Sequence, residues 1–353
     1  MAYTTINKPG DYFNTKLYTG NGSTNAITGV GFQPDLIWIK DRDTTDWHWW
    51  NDAVRGATKT LHSNKTNAES TQATSITAFG TDGFTLGNDA SVNRNNDNFV
   101  SWNWKAGTGQ GSPNTDGSIN TSYTSVNTTA GFSISKYAGY GSASTVGHGL
   151  GAAPEVIIIK STTHTENWVM YHKGLNSSGA GTYIYFNNAA AGGSGSNTSI
   201  FNNTAPTSSV FTVNTDGTSN GSGKSYVAYC FKEKAGYSKF GSYAGNGSTD
   251  GTFVYTGFKP AWIMLKNSSA NESWTVRDVR RSPNNVMKLD IFPDLNNAEV
   301  SSGGTGNYYD FLSNGFKLRG SDARQNSSGA KYIYMAFAEI PLVGSNNVPC
   351  LAR

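Results

Sequence analysis

Asp52 and Arg55 stand three residues apart, and Asp278 and Arg281 repeat that spacing. On a helical turn, side chains at i and i+3 meet, so each pair suits a local ion pair. At the matching distance from a recurrent lysine, the middle of the chain has His172 and Leu175 instead. A catalytic pair kept in two copies and lost from a third would be odd. Structural ion pairs that pin loops are therefore expected at both places.

The segment TDWHWWND (45–52) is the densest aromatic patch. One strand cannot turn Trp47, His48, Trp49 and Trp50 all inward, because side chains alternate between its faces. At least one indole should reach solvent. A flat apolar ring with a polar edge is what a sugar-binding surface uses, so these four residues form the candidate ligand-binding set. The competing reading places them in the core and at a seam between domains. Trp168 and Trp274 recur singly and are expected in the core.

Other chemistry finds less support. DGTSNGSGKS (216–225) imitates a phosphate loop, but Thr218 stands where glycine is required and no helix pattern follows. The five histidines, at 48, 62, 148, 164 and 172, lack the spacing of a zinc site. The turns TDG (81–83) and NTDG (214–217) hold calcium-type oxygens but are equally ordinary acidic turns. No strand places two or three carboxylates on alternate positions, and there is no GxSxG elbow. The expectation is no catalytic residue, no metal and no cofactor.

The elements that would position these residues repeat three times. The phrases GFQPDLIWIK (31–40), GAAPEVIIIK (151–160) and GFKPAWIMLK (257–266) follow LYTGNGS (17–23), KYAGYGS (136–142) and SYAGNGS (242–248). Each copy then has a tryptophan-centred segment and a closing pair: FTL with FVSWNW, FTV with YVAYCF, FKL with YIYMAF. Phe84 precedes Phe99 by 15 residues, Phe211 precedes Tyr226 by 15, and Phe316 precedes Tyr332 by 16. Short runs of branched and aromatic residues between Asn-Gly and Asp-Gly turns read as strands. The four-residue apolar runs suggest strands covered on both faces. The chain therefore reads as all-β: three tandem antiparallel β-sandwiches over 1–112, 113–235 and 236–343, with a C-terminal tail, 344–353, outside the pattern and expected to pack on a partner. The second and third units, joined almost without linker, should dock closely. Lys40, Lys160 and Lys266 end the same strand in each unit and are expected to sit in solvent, where a charge stops edge pairing.

Composition agrees with this class. Among 353 residues, 41 are Gly and only 14% are charged, yet 12% are aromatic, more than disordered chains carry. A net charge of +3 with no basic run does not ask for nucleic acid. The opening MAYTTINKPGDYF has no basic or apolar signal region, and no apolar run suits a membrane helix. Cys230 and Cys350 lie far apart, which argues against a disulfide framework.

The set formed by GF-x-P-x-x-I-x-x-K, the tryptophan segment, FLSNGFKL, YIYMAFAEIP and the opening MAYTTINKPGDYFNTKLYTGNGS resembles concanavalin A-like, lectin-like β-sandwich repeats of virion proteins in tailed bacteriophages, especially marine ones. The resemblance covers nearly the whole chain and is most specific over 243–341. It implies a jelly-roll, lectin-like fold and a structural part of a virion made in the host cytoplasm. Its partners would be other virion proteins and, for a tail-fibre or spike-type adhesin, a host surface glycan, with oligomeric state set by virion symmetry. The alternative is a purely architectural component, such as a capsid decoration, head fibre or tail collar. A polysaccharide-degrading enzyme is the third reading.

Overall fold

Leu36 and Trp38 point to one side of their strand, Ile37 and Ile39 to the other, and all four are buried. The same alternation holds for Val156 to Ile159 and for Trp262 to Leu265. Each repeated phrase is thus the central strand of a two-layer unit whose second face is covered as well. The structure is a computed structural model and describes residues 3–175, 182–192, 198–301, 306–346, 348 and 349.

Each unit has one larger antiparallel sheet. In the first, the strand order is Phe13–Thr19, Asn98–Trp104, Leu36–Asp41, Trp49–Asp52, Lys59–Leu61 and Ser70–Thr71. The closing strand lies beside the phrase strand in every unit, with Trp38 opposite Trp102, Ile158 opposite Tyr229 and Met264 opposite Met335. A smaller sheet covers the outer face of each unit: Asn25–Thr28 with Gly83–Leu86 and Ile76–Gly80, Ser144–Gly147 with Val210–Val213, and Phe253–Tyr255 with Gly315–Leu318 and Tyr309–Leu312. Three separate apolar clusters fill these sandwiches. The fold is all-β with antiparallel sheets, as its sequence pattern requires.

The inner faces of the three large sheets meet in a fourth cluster that all three units share. It contains Trp38, Trp50, Trp102 and Trp104 from the first, Trp168 and Tyr229 from the second, and Trp262, Trp274 and Phe337 from the third. The rings pack mostly edge to face, for example Trp38 on Trp102 at 4.7 Å and Trp104 on Trp262 at 5.7 Å between centroids. The units are therefore not merely docked beads. Ile6, ahead of the first strand, also lies in this shared cluster, and the Tyr3 hydroxyl donates to Gly257 O of the third unit at 2.9 Å.

Polar contacts at the seams follow one rule around the ring. Trp168 Nε1 donates to His62 O and Lys65 O of the first unit, at 3.0 and 3.1 Å. Trp274 Nε1 donates to Tyr185 O of the second unit at 3.2 Å. The equivalent residue in the first unit is His48, not Trp47. Its ring lies against the backbone of Phe292 and Leu295 in the third unit. Each unit thus inserts one ring into the loop of the preceding one, and the ring of units closes, as head-to-tail interfaces do when the rotation allows.

The three lysines are buried, which corrects the expectation of solvated strand ends. They share the inward parity of their strands, and an inward side chain here enters the junction between units. Lys160 Nζ donates to Ser161 O at 2.9 Å, to His164 O at 3.5 Å and across the seam to Thr66 O at 3.1 Å. Lys266 Nζ reaches Glu272 O and, across the next seam, Ala189 O at 2.9 Å. Lys40 Nζ bonds Asp41 O and Thr44 O. An ammonium has three donors and no acceptor, so clustered carbonyls satisfy it. Burial pulls these groups down, Lys160 to about 7 and the other two to about 8.

Asp52 and Arg55 are both buried and joined through Nε to Oδ2, and Arg55 also donates to Trp50 O at 2.9 Å. Tyr229 of the second unit donates its hydroxyl to Asp52 Oδ2 at 2.6 Å. Asp278 and Arg281 form the same pair at 2.6 Å, and there Trp102 Nε1 of the first unit donates to Asp278 Oδ2 at 3.1 Å. At the remaining seam both partners are exchanged together. His172 replaces the aspartate, Met335 takes the place of the Tyr or Trp donor, and His172 Nε2 bonds Tyr334 O at 3.0 Å. Loss of the pair in the middle unit therefore leaves no buried donor stranded.

Removing Asp52 should cost far more than removing its hydroxyl donor. In denaturant titrations, Asp52→Ala is expected to lose about 3 kcal/mol, because buried Arg55 then keeps only Glu69, at 3.1 Å, as a carboxylate partner. Tyr229→Phe should lose about 1 kcal/mol. Equal losses would show that the seam does not depend on the charge.

Acid should weaken the seams through histidine. Burial drives His62 and His172 down to about 4 from 6.5. Between those values the unfolded chain binds protons that the folded chain refuses, so stability is full above pH 6.5 and falls as pH drops towards 4. The expected loss is roughly 2–3 kcal/mol per histidine, read as a falling thermal midpoint that His172→Gln makes shallower.

A single unit should not stand alone. Residues 113–235 expressed separately would expose the inner face carrying Trp168, Met170 and Tyr229. Light scattering should find self-association or an unfolded chain rather than a folded monomer.

Candidate ligand-binding face

The predicted aromatic set divides between interior and surface. His48 and Trp50 belong to the seam and the shared core, and Trp49 packs in the first unit's own sandwich. Alternation along Trp49–Asp52 sends Trp49 outward to the small sheet and Trp50 inward. Trp47 alone reaches solvent, at 42% exposure. Asp52, Arg55, Asp278 and Arg281 are consumed internally, as described above.

Trp47 stands on the rim of an open depression of about 350 Å³, lined also by Asp46, Trp49, His62, Gln72, Asp89 and Ser91. Its ring meets His62 edge to face at 5.1 Å, and Lys65 Nζ lies 4.6 Å from its centroid. Asp46 is held by Arg94 at 2.8 Å and by the Thr44 hydroxyl at 2.9 Å. Asp89 accepts from Ser91 N at 2.9 Å, capping the short helix Ala90–Asn93. His62 is held neutral by burial, and its Nδ1 bonds His48 O at 2.9 Å. Trp49 Nε1 is buried without a hydrogen-bond partner.

A second polar hollow, of about 400 Å³, has Ser23, Thr24, Thr77 and Asn88 on its walls, and its Ala73 and Asn88 are sequence neighbours of Gln72 and Asp89 in the first. The first is a trough with an aromatic rim and polar walls. A hydroxyl-rich ligand placed here would meet the ring with its C–H face and the carboxylates and the Gln72 amide with its hydroxyls. The trough belongs to one unit. The positions matching Trp47 are Asn167 and Ser273.

The acidic turns use their carboxylates locally. Asp82 accepts from Gly29 N and Gly31 N, at 2.9 and 2.6 Å, and Asp216 accepts from Thr218 N and Oγ1. Among the described residues, no group of three or more His, Cys, Asp or Glu is placed to hold a metal. In the false phosphate loop, Lys224 is paired with Glu166. No described helix is long and apolar enough to cross a membrane. Cys230 is a buried free thiol, and Cys350 lies outside the described residues. The described part of the tail packs on the N-terminal segment, with Asn7 Nδ2 donating to Ser345 Oγ at 2.6 Å and Ser345 N to Asn7 Oδ1 at 2.8 Å; residues 347 and 350–353 lie outside.

Two sets of positioning residues escaped the reading of the sequence. Buried Asn93, Asn220 and Asn326 accept from the backbone N–H of Asn21, Tyr140 and Asn246, bracing the repeated glycine turn. There a Cβ on Gly20, Gly139 or Gly245 would lie 2.1, 2.4 or 2.3 Å from a carbonyl oxygen. Each asparagine stands six residues before an aromatic of the closing strand, at 99, 226 and 332, so the signal was present as spacing. Asp35 and Glu155, which follow the repeated proline, hold the chain leaving the first and second units. Asp35 accepts from the N–H of residues 106, 108 and 109, and Glu155 from that of Glu233. The third unit has Ala261 at this place.

No curated protein and no solved structure matches the chain. One family model, described as a domain of unknown function, DUF7483, matches residues 8–341. That span takes in the sheets of all three units and the trough, and the chain therefore belongs to the DUF7483 family.

Proposed function

We propose that this protein is a structural component of a tailed-phage particle, a tail-fibre or spike-type part whose first unit contacts a host surface glycan. The observation that carries the glycan contact is the trough beside Trp47. Eight of the nine tryptophans are buried, seven of them in the shared core, and the remaining one rims a polar trough. The virion assignment rests on the resemblance of the repeated phrases. A rigid ring of three fused units suits adhesion and spacing rather than turnover. No catalytic role is assigned: Asp46 and Asp89, the carboxylates of the trough, are engaged by Arg94 and by a helix cap.

A purely architectural role is the second reading. It is favoured by the burial of most of the aromatic patch, which leaves one exposed indole where a broad sugar platform would show several.

Glycan arrays and cell adsorption with purified protein separate the two. Trp47→Ala should leave the thermal midpoint unchanged and weaken glycan binding at least tenfold, about 1.4 kcal/mol or more. Silence on arrays and on cells, with a particle map in which neighbouring subunits cover the trough, would leave only the architectural role.

A further inference from the structure

The small sheets end in unequal edges. In the second unit, the linker arriving from the first lies along the free edge of Ser144–Gly147. Ile119 pairs in parallel with Val146, Ile119 N donates to Thr145 O at 2.9 Å, and Thr145 N donates to Ser118 Oγ at 2.9 Å. Ile119 is buried in that unit's core. Gly117 makes the approach feasible, since a Cβ there would lie 2.4 Å from Thr145 O. The outward N–H and C=O of Thr145 are thus satisfied by a Gly-Ser-Ile segment laid alongside.

Among the described residues, no segment pairs with the second edge of the equivalent strand in the third unit, Phe253–Tyr255; the Tyr3 side chain reaches the Tyr255 side chain and Gly257 O at its end. The strand pairs on one side only, with Gly315–Leu318. Leu318 N donates to Thr252 O and Thr256 N to Asn314 O, so residues 252, 254 and 256 face the sheet. Alternation turns the N–H and C=O of Phe253 and Tyr255 to the open side. Their side chains are also exposed, at 44% and 53%, while Val254 between them is buried. Two aromatics on an open edge are what folded proteins avoid unless the edge is used. The matching strand of the first unit, Asn25–Thr28, shows only Ala26 and Thr28 outward.

We propose that Phe253–Tyr255 is a docking edge for an extended arm of another polypeptide, added in parallel as a further strand. The arm would carry glycine opposite the Phe253 carbonyl and an aliphatic residue two places on, as 117–119 do at the second unit. Main-chain hydrogen bonds supply the attraction in strand addition, and Phe253 and Tyr255 would flank the arm as cross-strand neighbours. The proposal does not depend on the glycan reading.

The probe is a synthetic peptide of residues 113–122, PNTDGSINTS, added to the full-length protein and followed by amide hydrogen exchange. In the protein alone, the Phe253 and Tyr255 amides should exchange at least about 100-fold faster than that of Thr145. Saturating peptide should slow them about tenfold or more. Phe253→Pro removes an outward N–H at an edge position that tolerates proline, and should weaken binding at least tenfold. A peptide with valine in place of its glycine should not bind, a control that leaves the protein untouched. Slow exchange at 253 and 255 in the protein alone would mean that its own chain covers the edge, and would overturn the proposal. So would protection of Ala26 and Thr28 without protection at 253 and 255, or no binding at millimolar peptide.

Discussion

Three β-sheets burying their inner faces in one aromatic cluster is the constraint on which the rest of this molecule depends. A sheet of this width covered on one face only would leave a large apolar surface in water. Each unit covers its outer face with its own small sheet but relies on two neighbours for the inner one. Indoles suit this place, because edge-to-face rings fill the junction of three sheets that meet at angles. The cost is that a polar group carried into the junction loses water and is expensive unless it finds a partner there.

The seams show how that requirement is met. The indole N–H groups of Trp168 and Trp274 go to loop carbonyls of the neighbouring unit, ammonium groups go to clusters of carbonyls, and carboxylates to an arginine on one side and a Tyr or Trp donor on the other, while the indole N–H groups of Trp104 and Trp262 are buried without a partner. The middle unit departs from the pattern at His172 and Leu175, and its partner departs at Met335. Donor and acceptor have changed together, as expected where a lone buried charge would be expensive. The seams are similar but not identical, which suits one chain of three diverged units better than three equal subunits.

Function has room only where this arrangement leaves surface unused. Trp47 is displaced by one residue from the ring position that His48 fills, and that single step places an indole on the rim of a trough instead of in the seam. The open edge at Phe253–Tyr255 arises similarly. Among the described residues, the linker that pairs with the second unit's edge has no counterpart there, so the same strand is paired on both edges in one unit and on one edge in another.

Much of the fold was legible in the chain. Apolar runs of four residues between glycine turns specify strands covered twice, and the persistence of order and spacing specifies three related units. The ion pairs could be proposed because i and i+3 neighbours interact locally. What the neighbours of a strand would be was not legible, because alternation says that a residue faces inward without saying what lies there. Hence Lys40, Lys160 and Lys266 looked like solvated strand ends, although their parity already matched that of the buried rings. The patch at 47–50 looked like one surface, although strand geometry divides it between two cores and the solvent. By itself the sequence determined the strands, their turns and the threefold repetition, since these rest on local geometry and period. Only the tertiary structure decided that the units close into a ring around a common core, because that depends on contacts between residues a hundred or more positions apart.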